Sequence, residues 1–476
     1  MKKTKIICTL GPAVDHAETI ERLIRTGMNA ARFNFSHGSH AEQLARLNMF
    51  KKVRDTLGAP VATILDTKGP EIRIKTFADG PVTLEQGQGF ILTTDDVPGD
   101  GRRVSVTYAN LHKEVGPGCR ILVDDGLIEL RVQKVEGHEI HCEVENGGPL
   151  SSNKSINIPD VHILLPSLTD KDREDLKFAV DNDFDFIAAS FVRKASDVED
   201  IRAELRKHGG DNIRIIAKIE NREGVENLEG IIAASDGIMV ARGDLGVEIP
   251  AHEVPILQKK MIKATIRAGL PVITATQMLD SMIRNPRPTR AEVSDVANAV
   301  FDGTSCVMLS GETASGKYPI EALSTMVNTV TAAEEAIDYW GRFRERSLLP
   351  VVSGISDAIT HSCCLTAMDL NASAILAATR SGYTAKVISR FRPACPIVAL
   401  CQNESTRRQL AISWGVHPYL SGEVDSTDRM FSLAVDVARK ENAVQIGDTV
   451  VITAGVPLGQ SGTTNLIKAQ IVEGGL

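Results

Sequence analysis

Several features are missing from this 476-residue chain. No uninterrupted apolar run approaches the roughly 20 residues a membrane-spanning helix needs, so no membrane partner is expected. There is no basic tract, and Lys plus Arg number 53 against 61 Asp plus Glu, a net of −8. That balance argues against nucleic acid as a partner. The eight cysteines (8, 119, 142, 306, 363, 364, 395 and 401) lack CxxC spacing. Neither a zinc site nor a disulfide framework is expected, and the cysteines read as reduced thiols of a cytoplasmic protein. No low-complexity tract is present. The opening MKKTKIICTLGP breaks at Gly11-Pro12 after a very short apolar run, and reads as a first strand rather than a signal peptide. What remains is ordinary for a soluble chain of several domains, with 43% hydrophobic and 24% charged residues.

One stretch organises the rest. In Ile215 to Asp244, an apolar run ends in Lys218 and Glu220, a helical segment follows over Arg222 to Ala233, and a second apolar run ends in Arg242 and Asp244. Short apolar runs separated by a helix predict a βαβ unit of parallel strands buried on both faces. Charges placed where such strands stop are not needed to fill a core, and the carboxyl ends of strands are where parallel α/β folds carry their chemistry. Glu220 and Asp244 make an incomplete, oxygen-only ligand set of the kind that suits Mg²⁺. Lys218 lies on the same strand face as Glu220.

The same rhythm runs through most of the chain. Strands are predicted at Lys5–Thr9, Ala30–Asn34 and Val61–Leu65, with Asp15 capping the first helix and the second starting near Ser39. From Pro70 to about Pro166 the pattern changes to short alternating runs with glycine turns, a small all-β insertion. The βα rhythm returns at Thr169, with strands at Phe186–Ser190, Arg214–Lys218, Gly237–Val240, Val272–Thr276 and Cys306–Leu309. Three units before the insertion and five after it predict a (β/α)₈ TIM barrel interrupted by a lid. A doubly wound sheet is the alternative, and eight evenly spaced units favour closure. Arg342 to Pro350 reads as a charged connector to a C-terminal α/β domain. That domain has strands at Ala374–Ala378, Ile397–Leu400, Thr449–Thr453 and Leu466–Ile471, and a helix over about Thr427–Lys440. The expected domains are thus 1–69 and 168–344 (barrel), 70–167 (β lid) and 345–476.

If the barrel closes, its strand ends gather Arg32, Asn34, Ser36, His37, Asp66, Thr67, Ser190, Lys218, Glu220, Arg242, Asp244, Thr276, Ser310 and Glu312 around one cavity. Cations beside metal-binding carboxylates suit phosphoryl transfer, in which positioning and charge neutralisation dominate. In the C-terminal part, Thr379-Arg380-Ser381-Gly382-Tyr383-Thr384 follows a strand and opens a helix. Hydroxyls, a glycine and a helix N-terminus there form a phosphate cradle. His16, His40, His208 and His252 read as surface or capping residues, Trp340 and Trp414 as packing, and Thr289 in PRPTR as a helix N-cap.

The segment IIAKIENREGV at Ile215 resembles the active-site signature of the pyruvate kinases. TLGP at Thr9, RFNFSHG at Arg32, LDTKGPEIR at Leu65, VARGDLGVEIP at Val240 and the long block from Ile273 extend that resemblance along the whole chain. It implies phosphoryl transfer between phosphoenolpyruvate and ADP, giving pyruvate and ATP. It further implies Mg²⁺ (or Mn²⁺) on Glu220 and Asp244, and substrate at Arg32, Lys218, Gly243, Asp244 and Thr276, with Lys218, Arg32 and Thr276 catalytic. Nucleotide would meet Asn34, His37, Arg73 and Lys154. Asn34, Ser36, Asp66 and Thr67 would hold K⁺, a reading favoured by Glu71, where K⁺-independent members carry Lys. A sugar phosphate, commonly fructose 1,6-bisphosphate, would activate a homotetramer by binding Thr379, Arg380, Ser381, Gly382 and Thr384, helped by a loop at Gly455 to Thr464. Tyr383 adds bulk rather than a cation, which leaves a sugar monophosphate open as ligand. A metal-dependent aldolase or lyase and a sugar-phosphate sensor are the rival readings. The first needs no K⁺ set or hinged lid, and intact Lys218, Glu220 and Asp244 argue against the second.

Overall fold

In the computed structural model, which describes residues 1–347, 354–422, 424, 426–457 and 462–473, eight parallel strands close into a barrel. They are Lys5–Leu10, Ala30–Asn34, Ala62–Asp66, Phe186–Ala189, Arg214–Ile219, Gly237–Ala241, Val272–Ala275 and Cys306–Leu309. Alternation along each strand sorts the side chains. Ile6, Cys8 and Leu10 face the surrounding helices, while Ile7, Ala30, Ile64, Ala188, Ile216 and Met239 fill the barrel interior. The next inward positions toward the carboxyl ends are Arg32, Asp66, Ser190 and Lys218. The polar site is therefore the layer stacked on the apolar one.

Several helices begin where the sequence marks them. Ser39, Thr169 and Thr289 each accept from the backbone three residues on, and Glu42, Asp172 and Glu292 answer with a carboxylate, completing capping boxes. Asp15 does not cap. It grips the Arg46 guanidinium at 2.5 and 2.6 Å, and the first helix, Ala17–Thr26, has His16 at its N-cap position without a side-chain cap. The segment predicted as one helix over Arg222 to Ala233 is two, Arg222–Glu226 and Leu228–Ala234. The expected connector is helical as far as it is described, within Tyr339–Ser347, and its residues 348–350 lie outside the described residues.

The insertion between the third and fourth barrel strands forms a seven-stranded sheet, from Ile72–Arg73 to Ser155–Asn157, and a two-stranded ribbon around their own apolar core. Its incoming hinge is rigid. Gly69, at φ +71°, donates its N–H to Asp172 at 3.0 Å, and any Cβ there would stand 2.8 Å from that of Ser190.

The C-terminal unit is a five-stranded sheet, parallel except for its last strand Thr464–Ile471. Its edge strand Val416–Leu420 escapes the sequence pattern because Pro418 interrupts it, and proline is tolerated at a sheet edge. This unit docks on the amino ends of the barrel strands. Ile412 enters the barrel's interior core. Lys5 donates to the Val416 carbonyl at 2.5 Å, and Arg408 to Asp185 at 2.8 Å, while Asp185 also accepts from Thr63. Among the described residues no helix is long and apolar enough to cross a membrane, and all eight cysteines are free.

At this seam burial, followed by the nearby Lys5 charge, pushes His417 from its ordinary 6.5 down to about 2. The folded protein therefore keeps His417 neutral while the unfolded chain takes up a proton below 6.5. The stability from this residue is present above 6.5 and is lost as pH falls toward 2. Between about pH 7 and about pH 5 the wild-type thermal midpoint should fall more steeply than that of His417→Gln. Parallel slopes for the two proteins would refute this.

Candidate active site

The centre of the site is Asp66, 1% exposed at the end of the third strand. One oxygen accepts from Arg32 Nε at 2.6 Å and the other from Lys218 Nζ at 3.1 Å. Burial alone would raise this carboxyl, but Arg32 and Lys218 together pull it below its ordinary range. Lys218 also donates to Ser190 Oγ at 2.7 Å and faces Glu220 Oε1 at 3.0 Å. Burial opposes its charge, yet Asp66 and Glu220 raise its pKa above that of a free lysine. Arg32 is held by a further bond to Thr9 Oγ1 at 3.1 Å. Two cations, from the second and fifth barrel strands, are thus aimed by one carboxylate on the third.

Glu220 and Asp244 are in the opposite situation. Burial pushes Glu220 up to about 7, Lys218 opposes that shift and Asp244 adds to it. Asp244 is likewise raised, first by burial. The buried Glu220 and the half-buried Asp244, with one shared lysine, are short of positive charge. Among the described residues no three His, Cys, Asp or Glu side chains form a complete metal cage. Two carboxylates short of positive charge could hold a divalent cation that takes its remaining ligands from substrate and water. Phe191 N–H fixes Glu220 Oε2 at 2.5 Å.

On the next strand end, Thr276 and Gln277 stand at φ +68° and +54°. A β-branched residue rarely adopts this conformation, and its concentration at a site marks stored strain. Arg242 holds the turn, donating to the Ala275 and Thr276 carbonyls at 3.1 and 2.7 Å while Asp295 anchors it at 2.8 Å. Thr276 Oγ1 accepts the Gly243 N–H at 2.7 Å. Arg242 and Asp295 are thus scaffold residues whose task spacing alone did not reveal. Ser310 and Glu312 do not serve the cluster. The Glu312 carboxylate accepts from the Ser310 and Leu279 backbones at 2.7 and 3.0 Å and ties two loops together.

Asn34 pairs in register with Asp66, its Oδ1 accepting from Ser36 N–H at 3.1 Å, and Ser36 and His37 lie exposed at the rim. Thr67 Oγ1 accepts from Ser190 N–H at 3.2 Å. Glu71 is paired with Lys68 and Arg73. Above the cluster lies a cleft of about 470 Å³, which Arg73, Lys154, Asp124, Asn157, Asp244 and Glu248 help to line. Lys154 pairs with Asp124 at 2.9 Å, and Asn157 crosses from lid to barrel to reach Glu248 at 2.9 Å. Asp124, Asn157 and Glu248 carried no sequence signal beyond a turn-forming Asp-Asp-Gly.

A second, smaller cavity of about 60 Å³ lies in the C-terminal unit. Thr379, Arg380, Ser381 and Thr384 line it with Gly462 and Thr464 from the second loop. Residues 458–461 of that loop lie outside the described residues. Gly382, at φ +82°, turns the chain into the helix Tyr383–Arg390, and Thr384 Oγ1 meets Thr464 Oγ1 at 2.8 Å.

A closed parallel barrel with cations and carboxylates at its strand ends, under a β lid, is the architecture of a barrel enzyme. A family model described as pyruvate kinase, barrel domain, matches residues 1–323, and one described as pyruvate kinase, alpha/beta domain, matches residues 357–470. The chain is 50% identical over 474 residues to a pyruvate kinase of Clostridium acetobutylicum, covering 99% of this chain and 100% of that protein. Pyruvate kinases of Sporosarcina psychrophila and Staphylococcus haemolyticus are also 50% identical, with 99% of this chain and 81% of each relative covered. The chain belongs to the pyruvate kinase family and is a phosphotransferase.

Replacing Asp66 by Asn leaves Arg32 and Lys218 buried side by side without their shared counter-charge. Asp66→Asn should destabilise the fold by about 3–5 kcal/mol, the scale of a broken buried pair, and abolish pyruvate formation. A thermal midpoint unchanged from wild type would contradict the bridging role.

Proposed function

We propose that this pyruvate kinase moves the phosphoryl group of phosphoenolpyruvate to ADP between the Asp66-centred cluster and the lid, yielding pyruvate and ATP in the last step of glycolysis. The observation that carries this is the single buried carboxylate orienting Arg32 and Lys218 beside two charge-deficient carboxylates, Glu220 and Asp244. Mg²⁺ (or Mn²⁺) on those two carboxylates would supply charge neutralisation for the substrate oxygens.

The chain's own groups do the rest. Lys218 and Arg32 face the phosphoryl oxygens, and Lys218 stabilises charge that develops on the enolate oxygen. Gly243 and Asp244 offer backbone N–H groups to the substrate carboxylate, which takes over the donor that Thr276 Oγ1 now accepts. That frees the Thr276 hydroxyl for the substrate. Arg73 and Lys154 from the lid, with Asn34 and His37 from the barrel rim, receive the nucleotide. Asn34, Ser36, Asp66 and Thr67 bind K⁺, a reading supported by the register pairing of Asn34 with Asp66. Lid closure excludes water from the transfer. The enzyme works in the cytoplasm as a homotetramer.

The test is pyruvate release from phosphoenolpyruvate, with ADP, Mg²⁺ or K⁺ omitted in separate arms. Each omission should suppress turnover. Lys218→Met should lower kcat by about 100-fold or more while changing KM far less, because its charge acts mainly in the transition state. Normal kcat with a raised KM would reduce Lys218 to a binding residue.

The Thr379–Thr384 loop is read as the seat of a sugar-phosphate activator, supported by its hydroxyl-lined cavity and the glycine turn into a helix N-terminus. Thr384→Asp sets a carboxylate against the incoming phosphate. It should abolish activation while leaving turnover at saturating phosphoenolpyruvate within about twofold of wild type. A wild-type saturation curve that no sugar phosphate shifts would make the loop purely structural.

A further inference from the structure

The lid leaves the barrel through Gly69 and returns along a strap between Ile158 and Leu168. Val161, Ile163 and Leu165 pack against the lid core, and Leu164 between them is 79% exposed. The backbone there is also held, and from two sides. The carbonyls of Ile163 and Leu165 accept from Arg193 Nη1 and Nη2 at 3.0 and 2.7 Å. The N–H of Leu164 donates to Glu114 on the lid at 3.0 Å, and its carbonyl accepts from Tyr108 on the lid at 3.3 Å. One guanidinium on the barrel thus spans two alternate carbonyls while the lid grips the peptide between them. The planar fork of arginine suits this, since its two Nη groups are fixed relative to each other. Arg193 is itself oriented by Asp197, which faces its Nε at 3.5 Å and accepts its backbone N–H at 2.9 Å.

Arg193 also lies on the turn that serves the reacting centre. Ser190 Oγ accepts from Lys218, and Phe191, at φ +56°, donates its N–H to Glu220. Within four residues, Ser190, Phe191 and Arg193 therefore touch Lys218, Glu220 and the strap. We infer that Arg193 is a positioning residue for phosphoryl transfer: it sets the angle of the lid through the strap and keeps that angle in register with Lys218 and Glu220. The inference rests on the proposed reaction, because lid closure matters only if the cleft is where transfer occurs.

The test uses full-length wild type, Arg193→Lys and Arg193→Gln. Lysine keeps the charge facing Asp197 but reaches only one carbonyl, so it carries the test even if the glutamine variant fails to fold. In Arg193→Lys, kcat should fall about tenfold with KM for phosphoenolpyruvate within about twofold, since Arg32 and Lys218 keep their partners. Amide exchange across residues 163–165 should quicken about tenfold, and the slowing produced by ADP with Mg²⁺ in wild type should disappear. Wild-type turnover in the same assay reports on the reaction itself, and strap exchange is read independently of it. Wild-type kcat in both variants, or a lowered kcat with unchanged strap exchange, overturns the inference.

Discussion

Everything at this site depends on a carboxylate that is almost fully out of water. Asp66 can remain ionised in the barrel interior only because Arg32 and Lys218 both reach it, and those cations can be buried only because it is there. Each member would cost several kcal/mol alone, so the three stand or fall as a unit. The arrangement also fixes direction. Each cation must point inward and upward from its strand, and both therefore face the same small volume beneath the lid.

Much of this was legible in the sequence because the barrel repeats one rule. Strands buried on both faces read as apolar runs, and the first polar residue after each run had to lie at its carboxyl end. That rule placed Arg32, Asp66, Lys218, Glu220 and Asp244 at or just beyond strand ends, where the structure has them, and the helix starts near Ser39, Thr169 and Thr289 were equally plain. What the sequence concealed depends on contacts between distant segments. Asp15 looks like a cap because of its neighbours, yet Arg46, 31 positions later, takes it. Nothing local distinguishes Asp295 or Glu248 from other surface acids on helices. Arg242 was visible at a strand end, but only the positive-φ turn at Thr276 shows that it braces a strained backbone.

The two ends of the barrel carry different obligations. At the carboxyl ends the chain stores strain and uncompensated charge, at Thr276 and at the Glu220–Asp244 pair. At the amino ends the buried Asp185 is bound by Arg408 and by Thr63. The third strand joins these regimes, since Thr63 and Asp66 are three residues apart on it. The helix Glu404–Leu410 touches both sides of this seam: Arg408 reaches Asp185, and Thr406 donates to the Arg380 carbonyl in the Thr379–Thr384 loop.

Ile412 bears on how the molecule is made. The last barrel strand ends at Leu309, yet the residue that seals the lower end of the barrel interior is about a hundred positions further along. On the ribosome, at roughly 5–20 residues per second, the barrel emerges several seconds before its stopper. For that interval the amino-terminal end of the interior core, with Ala62, Phe186 and Cys306 near its strand starts, lacks the side chain that completes it. A truncated chain ending before Ile412 would keep that end of the core incomplete.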